Sequence, residues 1–241
     1  MKLQLSSISL GLFLTVAPHL YAAISVVAPN EFATLESPGS PNAIFTAQGE
    51  HTQIVYSSNQ FSMITTPQFV TGIAFRQDGL DNFPFSITLN ELAVSLSTTN
   101  RQPDNLSLTY AENIGTNATV VMPRGAYTFT SNPTGPPGGP MAFDIVFQFS
   151  TPFLYDPSLG NLLLDIQHFQ SQSSTGTFFM DTIRVTNDSM SRINGPVGSS
   201  VAGGADTVAP VTKFTFSTVP EPSSIMLVMA TFGSLLLVRT R

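Results

Sequence analysis

The sequence predicts an all-β fold, an antiparallel β-sandwich for which a jelly-roll is one suitable topology, with an N-terminal signal peptide and a C-terminal hydrophobic helix. Between residues 24 and 218, short runs rich in β-branched and aromatic residues are separated by Gly, Pro, Asn and Asp. Several runs alternate apolar and polar side chains, and no 3.6-residue period is sustained. Many short strands at this spacing are typical of a single sandwich domain.

The predicted strands share a β-prone composition and are bounded by turn residues. They cover residues 43–47, 52–56, 69–75, 85–96, 107–111, 119–122, 126–130, 142–149, 161–167, 176–186 and 208–217. In the run 85–96 the apolar side chains change parity near Asn90 and Glu91, which predicts a β-bulge. Residues 131–140 and 195–204 are predicted loops, because Pro lacks the donor N–H of a ladder and Gly is entropically costly to order.

Composition favours a folded, acidic domain. Hydrophobic residues make up 42% of the 241 residues and charged residues 10%, whereas disorder needs high charge and low hydrophobicity. Residues 24–218 carry six Lys and Arg against fourteen Asp and Glu, a formal charge of −8 without a basic cluster. We expect no nucleic-acid partner, because phosphate contacts need concentrated positive charge and a domain with this balance is a poor nucleic-acid binder. The absence of Cys excludes disulfides, thiolate catalysis and Cys-ligated zinc or iron–sulfur sites.

Residues 1–23 have the three-part layout of a secretory signal peptide. Lys2 precedes an apolar run at 8–17, which a helix-breaking proline and small residues follow. We expect cleavage after Ala22 or Ala23, with the general secretion machinery and a signal peptidase as partners. The alternative is a buried core helix, since the run is too short to span a bilayer.

Residues 219–241 form a second hydrophobic signal. An acid flanked by prolines is followed by fourteen uncharged residues, 225–238, and then by two arginines. The proline and charged residues concerned are Pro220, Glu221, Pro222, Arg239 and Arg241. A helix of fourteen residues reaches only ~21 Å, short of the ~30 Å hydrocarbon core, and the arginines would hold its end in the cytoplasm. The segment is predicted to be a transient inner-membrane anchor; the alternative is a permanent anchor that is never cleaved.

This C-terminal layout resembles the PEP-CTERM family of exported bacterial proteins over residues 219–241. The resemblance implies that an exosortase-like membrane enzyme recognises the proline-flanked acid, that the apolar segment is the membrane-embedded stop, and that the arginines set its orientation. Members of the family are associated with extracellular polysaccharide and biofilm. Segments 68–78 and 153–165 are also similar to parts of the β-sandwich ectodomains of this family, for which no activity is implied.

Candidate catalytic and sugar-binding residues within the domain are few. Beyond the leader, the histidines are His51 and His168, and no G-x-S-x-G motif marks a nucleophile. Each histidine is predicted to be a surface or strand-edge residue. A carbohydrate-binding module would need exposed aromatic platforms, for which the candidates are Tyr56, Tyr110, Tyr127 and Tyr155.

Paired carboxylates would suit a glycoside hydrolase or a Ca²⁺ site. Asp144 and Asp165 lie in predicted strands, and hydrolysis requires two acids across a cleft. The turn from Asp78 to Asp81 offers oxygen ligands at close spacing, although it lacks a D-x-D-x-D-G loop. The competing interpretation is a polar turn whose Asp side chains accept hydrogen bonds from backbone N–H groups.

The leading hypothesis is an exported, non-enzymatic cell-surface or extracellular-matrix protein, sorted by an exosortase-like enzyme and associated with exopolysaccharide. We expect no cofactor and no metal. A carbohydrate-binding β-sandwich module is one alternative, which a row of exposed tyrosines across a sheet face would favour. An acid-dependent glycoside hydrolase is the other, which two facing carboxylates in a cleft would favour.

Overall fold

Strands account for most of the regular structure in the computed structural model, which describes residues 23–39, 49–80, 82–169 and 179–219. The twelve strands of these ranges are β1 (Ile24–Ala28), β2 (Glu50–Tyr56), β3 (Gln68–Phe75), β4 (Phe85–Thr99), β5 (Thr119–Ser131), β6 (Ile145–Tyr155), β7 (Asn161–His168), β8 (Thr182–Arg184), β9 (Met190–Pro196), β10 (Gly204–Asp206), β11 (Val208–Pro210) and β12 (Thr212–Thr218). The strand pairs are antiparallel, so the predicted all-β antiparallel class is confirmed. Within these ranges, no helix is long and apolar enough to cross a membrane.

The strands form two larger sheets and one short ladder. A four-stranded sheet has the order β1-β12-β3-β6, and a six-stranded sheet has the order β10-β9-β2-β7-β4-β5. Strands β11 and β8 pair separately. Neighbouring strands are often distant in the chain, as where β12 lies between β1 and β3, which is why the strand order could not be predicted from local patterns.

Apolar side chains from both larger sheets belong to one buried cluster. Phe75 of β3 and Leu164 of β7 are members, and both are completely buried. Phe61, from the 3-10 turn after β2, packs edge-to-face against Tyr155 and Phe214, with ring centroids 5.2 Å apart in each case. Burying an aromatic side chain of this size contributes roughly 1.5–3 kcal/mol, so this turn helps to close the core.

The pairing of β4 with β5 contains the predicted bulge. The register shifts between Leu89 and Leu92, on either side of Asn90 and Glu91. Leu89 and Leu92 are both completely buried although they are three residues apart. A regular strand would place them on opposite faces, so the extra residue is what keeps both side chains in the core.

One predicted strand is wrong, and several have different limits. Within the segment 107–111, Thr109 forms an isolated bridge with Val201, which lies outside the named strands, and Tyr110 begins the 3-10 turn Tyr110–Glu112. The two predicted strands 119–122 and 126–130 form a single strand, β5, whereas the predicted strand 208–217 is divided into β11 and β12. The described part of the predicted strand 176–186 contains β8, and the predicted strand 43–47 lies outside the described residues. The sequence analysis predicts no strand at the positions of β1, β9 and β10.

The first and last of these strands lie side by side. Ile24 is opposite Phe216, and Ala28 is opposite Thr212. Because the pair is antiparallel, β1 begins and β12 ends at the same end of the four-stranded sheet. Residues 1–22 and 220–241 lie outside the described residues, so the leader and the membrane segment remain predictions.

Candidate functional site

Three carboxylates from distant parts of the chain meet near the end of β3. Asp78 follows that strand, Asp181 precedes β8, and Glu36 lies in the segment after β1. The backbone joins the first two segments, because the Asp78 N–H donates to Phe179 O and the Asp181 N–H donates to Arg76 O, both at 3.1 Å. One oxygen from each carboxylate lies within 4.8 Å of the other two.

Arg76 is buried against the central acid of this cluster. Its Nε and Nη2 lie 2.7 and 2.6 Å from Asp181 Oδ2, and Nη2 donates to Leu35 O at 2.5 Å. The Ser37 hydroxyl is within hydrogen-bond distance of Asp181 Oδ1. Arg76 is 1% exposed and Asp181 is completely buried. Each charge therefore depends on the other, since an unpaired ion at this depth would be costly.

The cluster carries more acid than base. Glu36 Oε1 accepts a hydrogen bond from the Gly79 N–H at 2.6 Å, whereas Oε2 is buried and has no hydrogen-bond partner among the described residues. Burial raises the pKa of Glu36, an effect that the hydrogen bond from Gly79 partly offsets. Arg76 pairs with Asp181, and the three clustered carboxylates offer the oxygen ligands that a hard cation prefers.

Asp78 takes part in the polar turn that the sequence allows. Its Oδ1 accepts a hydrogen bond from the Leu80 N–H at 2.9 Å, so the side chain caps the backbone. Asp81 lies outside the described residues, and the proposed Asp78–Asp81 cation loop stays a prediction. Sequence reasoning missed Glu36 and Asp181, since both are far from Asp78 in the chain and no short motif contains them.

These acids do not face each other across an open cleft. Retaining glycosidases hold two carboxyl groups about 5–5.5 Å apart with the sugar bond between them. Asp181 is instead enclosed and engaged by Arg76. Asp144 accepts hydrogen bonds from Ser131 Oγ and the Asn132 N–H, both at 2.8 Å, so it stabilises the end of β5.

A second polar cluster lies on the side of β2 and β7 opposite the core. His51 Nε2 is 3.0 and 3.1 Å from the two oxygens of Asp165. Gln53 Nε2 donates to Asp165 Oδ2 at 2.6 Å. The Tyr110 ring stacks on His51 with centroids 3.6 Å apart, and its hydroxyl donates to His51 O at 2.9 Å.

Residues 101–118 are held over this side of the sheet by Asn113. Its Nδ2 donates to Gln53 Oε1 at 2.9 Å and to Ser107 O at 2.8 Å. Its Oδ1 accepts the Ser107 N–H at 2.8 Å. These bonds shape the segment as a turn, which explains why the β-prone composition of 107–111 does not produce a strand.

Both histidines are buried, so the prediction that they lie at the surface or a strand edge is wrong. His51 is 7% exposed because residues 101–118 cover it, and His168, at the end of β7, is 1% exposed. Burial lowers the pKa of His168. A His–Asp pair can orient a catalytic base, but the stacked Tyr110 ring closes this one off. The pair therefore acts as a buried support for residues 101–118, called the covering segment.

The candidate tyrosines do not form an exposed row. Tyr56 and Tyr155 are completely buried and Tyr110 is 3% exposed. Burial raises the pKa of all three, that of Tyr110 to about 12. Tyr127 is partly exposed, and its hydroxyl donates to Pro123 O at 2.6 Å. The arrangement expected of a carbohydrate platform is therefore not formed by these four side chains.

A polar cleft of about 680 Å³ lies where β4 ends. Its walls include Thr98, Arg101, Glu112 and Asn117, and no aromatic ring lines it among the described residues. Arg101 Nη2 contacts Glu112 Oε2 at 3.2 Å, and Asn117 Oδ1 accepts the Thr98 N–H at 2.8 Å. Several of its polar groups thus bond to one another.

Of the residues predicted for processing, the structure describes only Ala23, which is exposed directly before β1. The other predicted processing residues, namely Ala22, Pro220, Glu221, Pro222, Arg239 and Arg241, lie outside the described residues. Comparison of the chain with protein-family models, with curated protein sequences and with solved structures finds no match.

Proposed function

We propose that this chain is an exported cell-surface or extracellular-matrix protein, held briefly in the inner membrane by its C-terminal segment and then processed by an exosortase-like enzyme. The observation that carries the proposal is where the first and last described strands lie in the chain. Strand β1 starts at Ile24, directly after the expected leader, and β12 ends at Thr218, directly before the expected tail. Both predicted cuts would therefore leave every described strand intact.

The proposed domain is a non-enzymatic β-sandwich made of the two larger sheets, for which a jelly-roll is one suitable topology. The proposal is supported by the acids and histidines of the two polar clusters that pair with other side chains of the domain. Asp181 is bonded to Arg76, and Asp165 to His51 and Gln53. Acids and histidines held in this way stabilise a fold, whereas a catalytic pair needs access to substrate.

The tail residues have separate roles in this proposal. Pro220-Glu221-Pro222 forms the recognition element, because two prolines keep the solvated Glu in an extended segment outside the bilayer. Residues 225–238 are the membrane-embedded stop, and Arg239 and Arg241 retain the end on the cytoplasmic side. Released protein would then associate with exopolysaccharide.

Intact mass spectrometry of protein recovered from its native cells tests the proposal. We expect loss of both ends, with a C-terminal cut near Pro220–Pro222 only in cells that have an active exosortase. The variant Glu221→Gln should retain the tail, whereas the matched Glu31→Gln, an exposed Glu to Gln change within the domain, should be processed normally. A mature chain that still ends at Arg241 both with and without an active exosortase would make the tail a permanent anchor and refute sorting.

A further inference from the structure

The register of the four-stranded sheet places the start of β1 beside the end of β12. Ile24 is opposite Phe216, and Thr218 is opposite Gln68, which is in turn opposite Tyr155. These residues lie at one end of the sheet along the strand direction, which is called the terminal end. There β1 and β3 begin, and β12 and β6 end. The other end of the sheet along the strand direction is called the distal end and contains Ala28, Thr212, Phe75 and Ile145.

The chain between the sheet and the expected membrane segment is short. Residues 219–224 separate Thr218 from Ile225, so the connection between these two residues reaches at most about 25 Å when fully extended. Strand β12 covers roughly 20 Å between Thr212 at the distal end and Thr218 at the terminal end. A domain turned over, with its distal end at the bilayer, would need this connection to be almost fully extended, which is entropically unfavourable.

We propose that the terminal end of the domain faces the lipid bilayer while the tail is embedded. The inference rests on the proposed function, in that residues 225–238 must enter the membrane. The leader leaves from the same end, at Ile24, so the two hydrophobic segments hold the domain in the same orientation before the leader is removed. If the leader and the tail left the sheet from opposite ends, they would pull the sheet parallel to the bilayer surface.

This orientation comes from the connections and not from attraction between the domain and lipid. Residues 24–218 have a formal charge of −8, which opposes adsorption to an anionic bilayer. Exposed leucines occur at both ends of the sheet: Leu159, in the turn after β6, is 67% exposed, and Leu80, after β3, is 84% exposed. An apolar preference would therefore not distinguish the two ends.

The absence of Cys allows a direct test by single-site labelling. Leu159→Cys and Leu80→Cys form a pair matched in residue type, at the terminal and distal ends. Thr66→Cys, two residues before β3, and Ala142→Cys, three residues before β6, form a second pair of exposed positions. All four side chains lie outside the strands, so labelling should leave the fold unchanged.

The full chain without its leader would be reconstituted into vesicles of phosphatidylethanolamine and phosphatidylglycerol that carry an energy acceptor on the lipid headgroups. We expect transfer from labels at Leu159→Cys and Thr66→Cys to be at least about twofold more efficient than from their distal partners, because the two ends of the sheet are separated by the ~20 Å length of its strands. A spacer of twenty Gly and Ser residues after Thr218, which adds roughly 25 Å of mean span, should reduce this difference.

Flotation with the vesicles separates the two ways to fail. A chain that does not float with them is not anchored, which overturns both the membrane role of the tail and the orientation. A chain that floats but shows equal or greater transfer from Leu80→Cys and Ala142→Cys overturns the orientation alone.

Discussion

Replacing Arg76 with Met should lower the free energy of unfolding by about 3–5 kcal/mol, the usual cost of removing one partner from a buried ion pair. Met has no charge and replaces the aliphatic stem of Arg, so the main change is the loss of the guanidinium. Its effect is to leave Asp181, which is completely buried, without the guanidinium that lies 2.6 Å away. Glu36 and Asp78 are close enough to add repulsion, since one oxygen of each lies within 4.8 Å of the others.

Asp181→Asn should cost less than Arg76→Met, because the guanidinium it leaves behind still has two carboxylates beside it. The exposed pair between Arg124 and Glu91, with atoms 2.7 Å apart, provides the control. Arg124→Met should cost about 1 kcal/mol or less, because water screens an exposed pair. The position of the charge, and not the length of the contact, accounts for the difference.

Urea unfolding of residues 24–218 measures these differences. The chain has no Trp, so circular dichroism and Tyr emission are the signals to follow. With a slope of about 1–3 kcal/mol per M urea, a loss of 3 kcal/mol lowers the midpoint by at least about 1 M. Equal midpoints for Arg76→Met and Arg124→Met would refute the argument from buried charge.

Two further predictions concern the covering segment and an acid near β9. Asn113→Ala removes three hydrogen bonds to Gln53 and Ser107. Because an unsatisfied buried group costs about 1–3 kcal/mol, we expect amide hydrogen exchange within residues 101–118 to become at least about fivefold faster. Unchanged exchange in these residues would contradict this. Asp188 has a pKa raised to about 6 by burial, so the stability it gives in its protonated form is lost as pH rises from about 4 through 6. Asp188→Asn should therefore stabilise the fold at pH 7 by of order 1 kcal/mol after solvent screening, and not at pH 3.5, which thermal melts at both pH values would test.

Local sequence patterns predicted the features that depend on a few neighbouring residues. The bulge between Leu89 and Leu92 follows from a change of parity within one strand. Asp78 accepts the Leu80 N–H at 2.9 Å, as expected for a polar turn whose Asp side chains accept hydrogen bonds from backbone N–H groups. In both cases the physical cause lies within a few residues of the effect.

The clusters were not predictable because their members meet only after long-range pairing. Glu36, Asp78 and Asp181 come from three segments, and the bonds between residues 76–78 and 179–181 are what align them. The burial of His51 depends in the same way on Asn113, which lies in the segment folded over it. No local pattern indicates that a polar stretch will cover a sheet.

The sheet order also bears on when the proposed export can yield a complete domain. The ladder between Ile24 and Phe216 joins the first described strand to the last, so it cannot form until nearly the whole chain is available. Contacts of such separation pay a loop-closure cost before they gain any stability. In the proposed sequence of events, β12 leaves the secretion machinery just before residues 225–238 stop in the membrane. The tail would therefore still hold the chain in place while the four-stranded sheet closes, and processing after that point would release a domain with all four strands paired.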